Sequence, residues 1–288
     1  MWQAISQQVS NILEKPFVIT EHETIDGGEI NECYVISNGE ERYFVKINKK
    51  SMLGLFVSEV ESLNHLRNAD CVDVPEVIHV GTTKECSFLV LNYLPTKPLL
   101  NEEQSETLGI QLARQHQWGE QAEFGFDSDN YIGSTLQPNE WHRKWSTFFS
   151  EQRLGWQLQL AAEKGIKLGN INTIVHNSQK ILAHHHPRPS LLHGDLWHGN
   201  VSVSVSGPIM YDPACYWGDH ECDIAMAELF GGFSEAFFNG YLSVQSLDKG
   251  YPDRRDLYNL YHILNHCNMF GGDYLVHAEQ IIAKLKLN

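Results

Sequence analysis

The chain has 288 residues, 42% hydrophobic and 20% charged, which are the proportions of a folded protein with room for one large or two modest cores. Its formal charge of −15 argues against a nucleic-acid or anionic-membrane partner, because such binding needs clustered Lys and Arg, so any phosphate site has to be locally basic. The first residues lack the cationic start and apolar core of a signal peptide, no apolar run approaches the roughly 20 residues of a membrane helix, and the six cysteines include no Cys-x-x-Cys pair; the expectation is a cytoplasmic, reducing compartment.

Trp2, Ile5, Val9 and Ile12 or Leu13 form a helical stripe that ends near Pro16. Phe17–Ile25 predicts a strand running into Asp26-Gly27-Gly28-Glu29-Ile30-Asn31, and Cys33–Ser37 and Arg42–Ile47 predict two more strands joined by Asn38-Gly39. Gly27 and Gly28, with no Cβ in the way, would let the backbone approach nucleotide phosphates, although a plain hairpin turn explains the same pair. Lys46 stands in the inward phase of Tyr43-Phe44-Val45-Lys46-Ile47, where an ammonium needs an anionic partner; a solvent-facing edge lysine is the bland alternative.

Leu53, Phe56, Val60, Leu63 and Leu66 predict a helix over 52–67. Glu59 and Glu61 both lie on it, and about 100° per residue puts them on different sides, so only one can face Lys46; periodicity does not choose. Val77–Val80 and Phe88–Leu91 predict the last two strands of an N-terminal β-rich lobe, residues 1–95. Asn92, Tyr93 and Leu94 form a linker (92–95) whose main chain could bind adenine, and Pro95-Thr96-Lys97-Pro98 marks the boundary with a mainly helical lobe, residues 96–288.

Beyond it, helical spacing appears near 101–118, 139–165, 221–230, 234–243, 254–268 and 274–286. The aromatic stripe Trp141, Trp145, Phe148, Phe149 and Trp156 reads as core packing. His184-His185-His186-Pro187 reads as an exposed loop, since consecutive residues do not converge on a metal, and His262 and His266 read as structural because the His-Glu-x-x-His base is absent.

Residues 191–215 carry the chemistry. Asp195 lies in His193-Gly194-Asp195, Asn200 follows five residues later, and Asp212 follows two short runs, Val201–Val205 and Pro208–Tyr211, that predict a hairpin. That spacing matches the catalytic loop H-R-D-x-x-x-x-N and the later metal-binding aspartate of phosphotransferases, with glycine in place of arginine. One carboxylate orients the attacking hydroxyl while two hard oxygen ligands hold magnesium on the phosphates, which assigns Asp195 as base and Asn200 and Asp212 as magnesium ligands. His193 reads as a hydrogen bonder that braces the loop.

With these residues in place, the chain resembles the fructosamine kinase (ketosamine 3-kinase) family, a branch of the aminoglycoside phosphotransferase and choline kinase group with a protein-kinase-like fold. The resemblance rests on Gly27-Gly28, Phe44-Val45-Lys46-Ile47-Asn48, Phe56-Val57-Ser58-Glu59, Asn130-Tyr131-Ile132-Gly133-Ser134-Thr135, the loop from His193 to Asn200, Asp212-Pro213-Ala214, and Asp223-Ile224-Ala225-Met226 running to Phe230-Gly231-Gly232-Phe233. It implies an α+β, two-lobed fold and magnesium-dependent phosphorylation by ATP of the 3-hydroxyl of a free or protein-bound ketosamine, a deglycation activity. It also implies Lys46 and Glu59 on the phosphates and Asp223 as a loop brace. Asn130, Trp141, His198, Trp217 and Asp219 are candidate sugar contacts. The family often has a small residue where His198 stands, and some members have a cysteine where Glu29 stands. An aminoglycoside, choline or other hydroxyl acceptor, and a nucleotide-binding pseudokinase scaffold, are the rival readings. The residues set no oligomeric state.

Overall fold

The computed structural model describes residues 1–25 and 30–288, so the expected phosphate-binding role of Gly27 and Gly28 lies outside the described residues. Helix α1 (Trp2–Leu13) is followed by strands β1 (Glu21–Ile25), β2 (Glu32–Ser37) and β3 (Arg42–Lys49), helix α2 (Leu53–Ala69), and strands β4 (Val77–Thr82) and β5 (Cys86–Asn92). The five strands make one antiparallel sheet in the order β1-β2-β3-β5-β4. Successive side chains of a strand point to opposite faces, and in β3 and β5 both faces are covered. Tyr43, Val45, Ile47, Phe88 and Val90 pack with Ile5 and Val9 of α1, whereas Leu89 and Leu91 pack with Leu55, Phe56 and Leu63 of α2. Lys46 is out of phase with Val45 and Ile47, which turns its side chain toward the α2 face.

The first strand is shorter than its sequence suggests. Phe17 is fully buried, and its N–H donates to Ser10 Oγ at 2.8 Å while the Ile19 N–H donates to Ser6 Oγ at 3.0 Å. The backbone of 17–19 therefore bonds to hydroxyls of α1, and sheet pairing starts at Glu21.

The C-terminal part is mainly helical. It contains α3 (Glu102–Gln117), a hairpin of β6 (Asn130–Ile132) and β7 (Thr135–Gln137), α4 (Trp145–Phe148), a π-helical stretch (Phe149–Gly155), α5 (Trp156–Glu163) and α6 (Ile171–Ile181). The short strands β8 (Ser190–Leu191), β9 (Val201–Val203), β10 (Pro208–Met210) and β11 (Trp217–Gly218) precede α7 (Glu221–Leu229), α8 (Glu235–Val244), α9 (Tyr251–Phe270) and α10 (Asp273–Lys284). No helix among the described residues is long and apolar enough to cross a membrane.

The single helix expected over 139–165 is interrupted. His142 exchanges backbone hydrogen bonds of 2.8 Å with Phe124, which holds the chain extended before α4. The π-helical stretch places Arg153 in the core, fully buried, with its guanidinium 4.0 Å from the Tyr216 ring centroid and donating to Asn139 Oδ1 at 2.7 Å. Trp145, Phe148, Phe149, Leu154 and Leu158 are buried around it, the core role expected of this stripe. Helix α6, which the spacing does not predict, starts at Asn170, whose side chain accepts from the Thr173 N–H as an N-cap.

Candidate active site

A cavity of about 940 Å³ opens between the sheet and the helical part, and Lys46, Glu59, Tyr93, Leu94, Asp195, Asn200 and Asp212 all line it. Its sheet side is built from β3 and α2. Lys46 Nζ donates to Glu59 Oε1 at 2.6 Å and also bonds to Asp212 Oδ1, and both Lys46 and Glu59 are buried. Burial works against charge on the ammonium, but the carboxylates of Asp212 and Glu59 outweigh it and raise the pKa above the usual lysine value. Lys46 thus stays cationic, with the two carboxylates beside it more than balancing its charge. Glu61 points elsewhere and accepts from Ser128 Oγ at 2.5 Å.

The opposite wall is the loop 193–200. Asp223, at the first turn of α7, accepts the N–H groups of His193 at 2.7 Å and Gly194 at 2.9 Å and so fixes the loop's backbone. Burial lowers the His193 pKa and keeps the ring neutral; Nδ1 accepts the Asp195 N–H at 3.3 Å and Nε2 lies 3.1 Å from the Tyr211 carbonyl. Asn200 Nδ2 donates to the Asp195 carbonyl at 2.9 Å and to its Oδ2 at 3.2 Å, which leaves the amide oxygen for a cation. Asp212 has φ 56°, in the left-handed region, and its side chain is 47% exposed, so a second oxygen donor faces the same space. The two ends of the β9–β10 hairpin thus carry one amide and one carboxylate oxygen, a donor set that suits magnesium. Burial and the charge of Asp212 push the Asp195 carboxyl up to about 7, the range of a general base near neutral pH.

Asn92, the last residue of β5, lines the cavity with Tyr93 and Leu94; its N–H donates to the Glu76 carbonyl at 2.9 Å and its Oδ1 accepts from the Glu76 N–H at 2.7 Å. The expected sugar contacts lie elsewhere. Asn130 is buried and donates to the Cys215 carbonyl at 2.7 Å. Trp217 is buried and stacks on Trp118 at 6.0 Å. Asp219 is fully buried and its Oδ2 accepts from Tyr258 Oη at 2.6 Å. None of these three lines the cavity, nor does Trp141, which packs on the core, nor His198, which is exposed beside Gly232. His185, Asp219 and Glu221 gather within 4.8 Å of one another, the spacing of a metal cluster. Their atoms are already engaged, however: Arg254 forks onto Glu221 with two bonds of 2.8 Å, and His185 Nε2 lies 2.6 Å from Asp219 Oδ2.

Part of the cavity wall is an aromatic cluster, a feature that sequence reasoning missed. Trp197, Phe230, His266, Phe270 and Tyr274 all line the cavity. The His266 ring lies 5.2 Å from Phe230, 5.7 Å from Phe270 and 5.0 Å from Tyr274. His262 is buried, with burial lowering its pKa to about 3, so it is structural as expected, while His266 one turn on reaches the cavity wall. The i, i+4 spacing of His266 and Phe270 was the available signal, but it does not tell a cavity wall from a core face.

The fold is that of the protein-kinase-like phosphotransferases. The ADP-bound crystal structure of the aminoglycoside phosphotransferase APH(2'')-Ib matches with a TM-score of 0.64 at 15% identity, covering 96% of this chain and 98% of that one. The fructosamine kinase family profile matches residues 1–288, and the chain belongs to that family. A probable ketoamine kinase of Vibrio vulnificus is 59% identical over 285 residues, 99% of each chain. The crystal structure of a candidate fructosamine-3-kinase from Haemophilus somnus matches with a TM-score of 0.94 at 35% identity, covering 99% of this chain and 97% of that one. The chain is therefore an ATP-dependent phosphotransferase that acts on a hydroxyl group.

Proposed function

We propose that the enzyme transfers the γ-phosphoryl group of ATP to the 3-hydroxyl of a ketosamine, the sugar–amine adduct left by glycation, and so serves deglycation. The observation that carries this is the meeting of Lys46, Asp195, Asn200 and Asp212 on one cavity with an aromatic cluster in its wall, in a chain of the fructosamine kinase family. Residues 1–95 act as the nucleotide lobe, with Tyr93 and Leu94 against adenine, and residues 96–288 act as the catalytic and substrate lobe.

Lys46, oriented by Glu59, holds the phosphates. Asn200 and Asp212 would hold magnesium, which would supply charge neutralisation on the phosphates. Asp195 accepts the proton of the sugar hydroxyl as its oxygen bonds to phosphorus, while the bond between the β,γ-bridging oxygen and the γ-phosphorus breaks and ADP leaves. The aromatic cluster takes the amine side of the acceptor, since a protonated amine is attracted to ring faces. All six cysteines are free thiols, which fits a reducing cytoplasm.

A panel of acceptors with ADP release as the common readout tests the substrate. Fructoselysine, a ribulosamine, an erythrulosamine and a glycated protein should support magnesium-dependent turnover, with choline and aminoglycosides far slower. Faster turnover of an aminoglycoside than of every ketosamine overturns the assignment, and so does nucleotide binding with no transfer to any of them.

A further inference from the structure

The stretch 126–139, which contains the candidate sugar contact Asn130, touches two other parts of the molecule, while its Tyr131, Ile132 and Gly133 line the cavity. On one side it meets α2. Ser128 Oγ donates to Glu61 Oε2 at 2.5 Å, the Phe126 ring lies 4.6 Å from the His65 ring, and the Tyr131 hydroxyl lies 3.4 Å from the place a Cβ on Gly54 would occupy. On the other side it holds the backbone that follows Asp212: Asn130 Nδ2 donates to the Cys215 carbonyl at 2.7 Å and Gln137 Nε2 to the Ala214 carbonyl at 3.2 Å. Within the segment, Asn130 Oδ1 accepts from Gln137 Nε2 at 2.7 Å and from Asn139 Nδ2 at 2.9 Å, and Asn139 Nδ2 also donates to the Ser128 carbonyl at 3.0 Å.

We infer that residues 126–139 form a strut that sets the helix bearing Glu59 in register with the segment bearing Asp212, making Ser128, Asn130 and Gln137 positioning residues for phosphate binding. The reasoning is geometric. Lys46 is fixed by two carboxylates from different parts of the molecule, Glu59 on α2 against the sheet and Asp212 after the β9–β10 hairpin. A relative shift of about an ångström between those parts would take one of the two contacts out of hydrogen-bond range. Asn130, Gln137 and Asn139 are all buried, and breaking their mutual bonds would strand amide groups away from water, so this network resists such a shift. The bond from Ser128 to Glu61 passes that rigidity to α2, on the side of the helix turned away from Lys46.

The inference rests on the reading of Lys46 as the phosphate-binding residue, and calorimetric titration of the whole chain with ATP and magnesium tests it without any acceptor. Ser128→Ala should weaken ATP binding about 3- to 10-fold, the equivalent of one hydrogen bond, and Ser128→Thr should restore it. In a Glu59→Ala background, where Lys46 keeps only Asp212 and the position of α2 no longer bears on it, Ser128→Ala should have no further effect. Unchanged affinity in Ser128→Ala, or an equal loss with and without Glu59, overturns the strut and leaves these residues with a role in stability alone. A wild-type chain that binds no ATP overturns the nucleotide reading itself, and the strut with it.

Discussion

A Cβ added to Gly194 would stand 2.0 Å from the carbonyl oxygen of Ala214, so the loop carrying Asp195 and the segment following Asp212 lie backbone against backbone. The Ala214 N–H closes the contact by donating to the His193 carbonyl at 2.9 Å. This approach is what puts the proposed base and the proposed metal-binding carboxylate on one wall. It also explains a glycine where related catalytic loops carry arginine.

Gly194→Ala should therefore be severely damaging. The residue has φ +84° as well as the backbone clash, and a side chain held in such a conformation costs about 1–3 kcal/mol before the clash is counted. Urea unfolding should show a clear drop in midpoint, and turnover of the remaining folded protein should fall. An unchanged midpoint and full activity would mean that the two segments separate easily.

Asp195→Asn should slow turnover about 10²- to 10⁴-fold, the usual effect of removing one general base. Its effect on stability has the opposite sign. The folded carboxyl titrates near 7, above its ordinary 3.8, so between those values the unfolded chain has lost a proton that the folded chain keeps. This group's contribution to stability is present below pH 3.8, falls as pH rises towards 7, and stays lost above it. The Asn variant, which carries no such proton, should gain stability relative to wild type across that window, and wild-type turnover should rise through about pH 7 as the base ionises. Thermal melting of both proteins at pH 4 and pH 8 checks the sign; a stability difference that does not move between the two would show that Asp195 titrates normally.

Lys46→Met leaves the buried Glu59 carboxylate beside Asp212 with its cation gone. Breaking a buried ion pair from one side costs about 3–5 kcal/mol, whereas replacing both partners by apolar residues is often nearly neutral. The double variant Lys46→Met/Glu59→Leu should thus regain most of the stability lost by Lys46→Met, yet bind ATP no better. Denaturant unfolding and calorimetry separate the two quantities. Recovery of nucleotide binding in the double variant would show that the lysine has a structural role only.

How much of this was legible beforehand follows from the range over which each feature is decided. Spacing along one loop and one hairpin is local, so Asp195, Asn200 and Asp212 could be placed from residue order, and strand alternation put Lys46 on the inner face because Cβ direction has period two. Burial of Asn130, Trp217 and Asp219 could not be read that way. A polar or aromatic residue near a motif looks the same in sequence whether it faces a cavity or plugs the core, and only its neighbours in space decide. Periodicity left Glu59 and Glu61 open and the family resemblance named Glu59; in space Glu61 accepts from Ser128, 67 residues away in the chain, and Glu59 from Lys46. The aromatic cluster likewise draws on α7, α9, α10 and the 193–200 loop. Residue order determined which groups are proposed for the chemistry, because their spacing is set within short stretches of backbone. Tertiary packing decided what surrounds them, because proximity across the cleft depends on contacts between segments far apart in the chain.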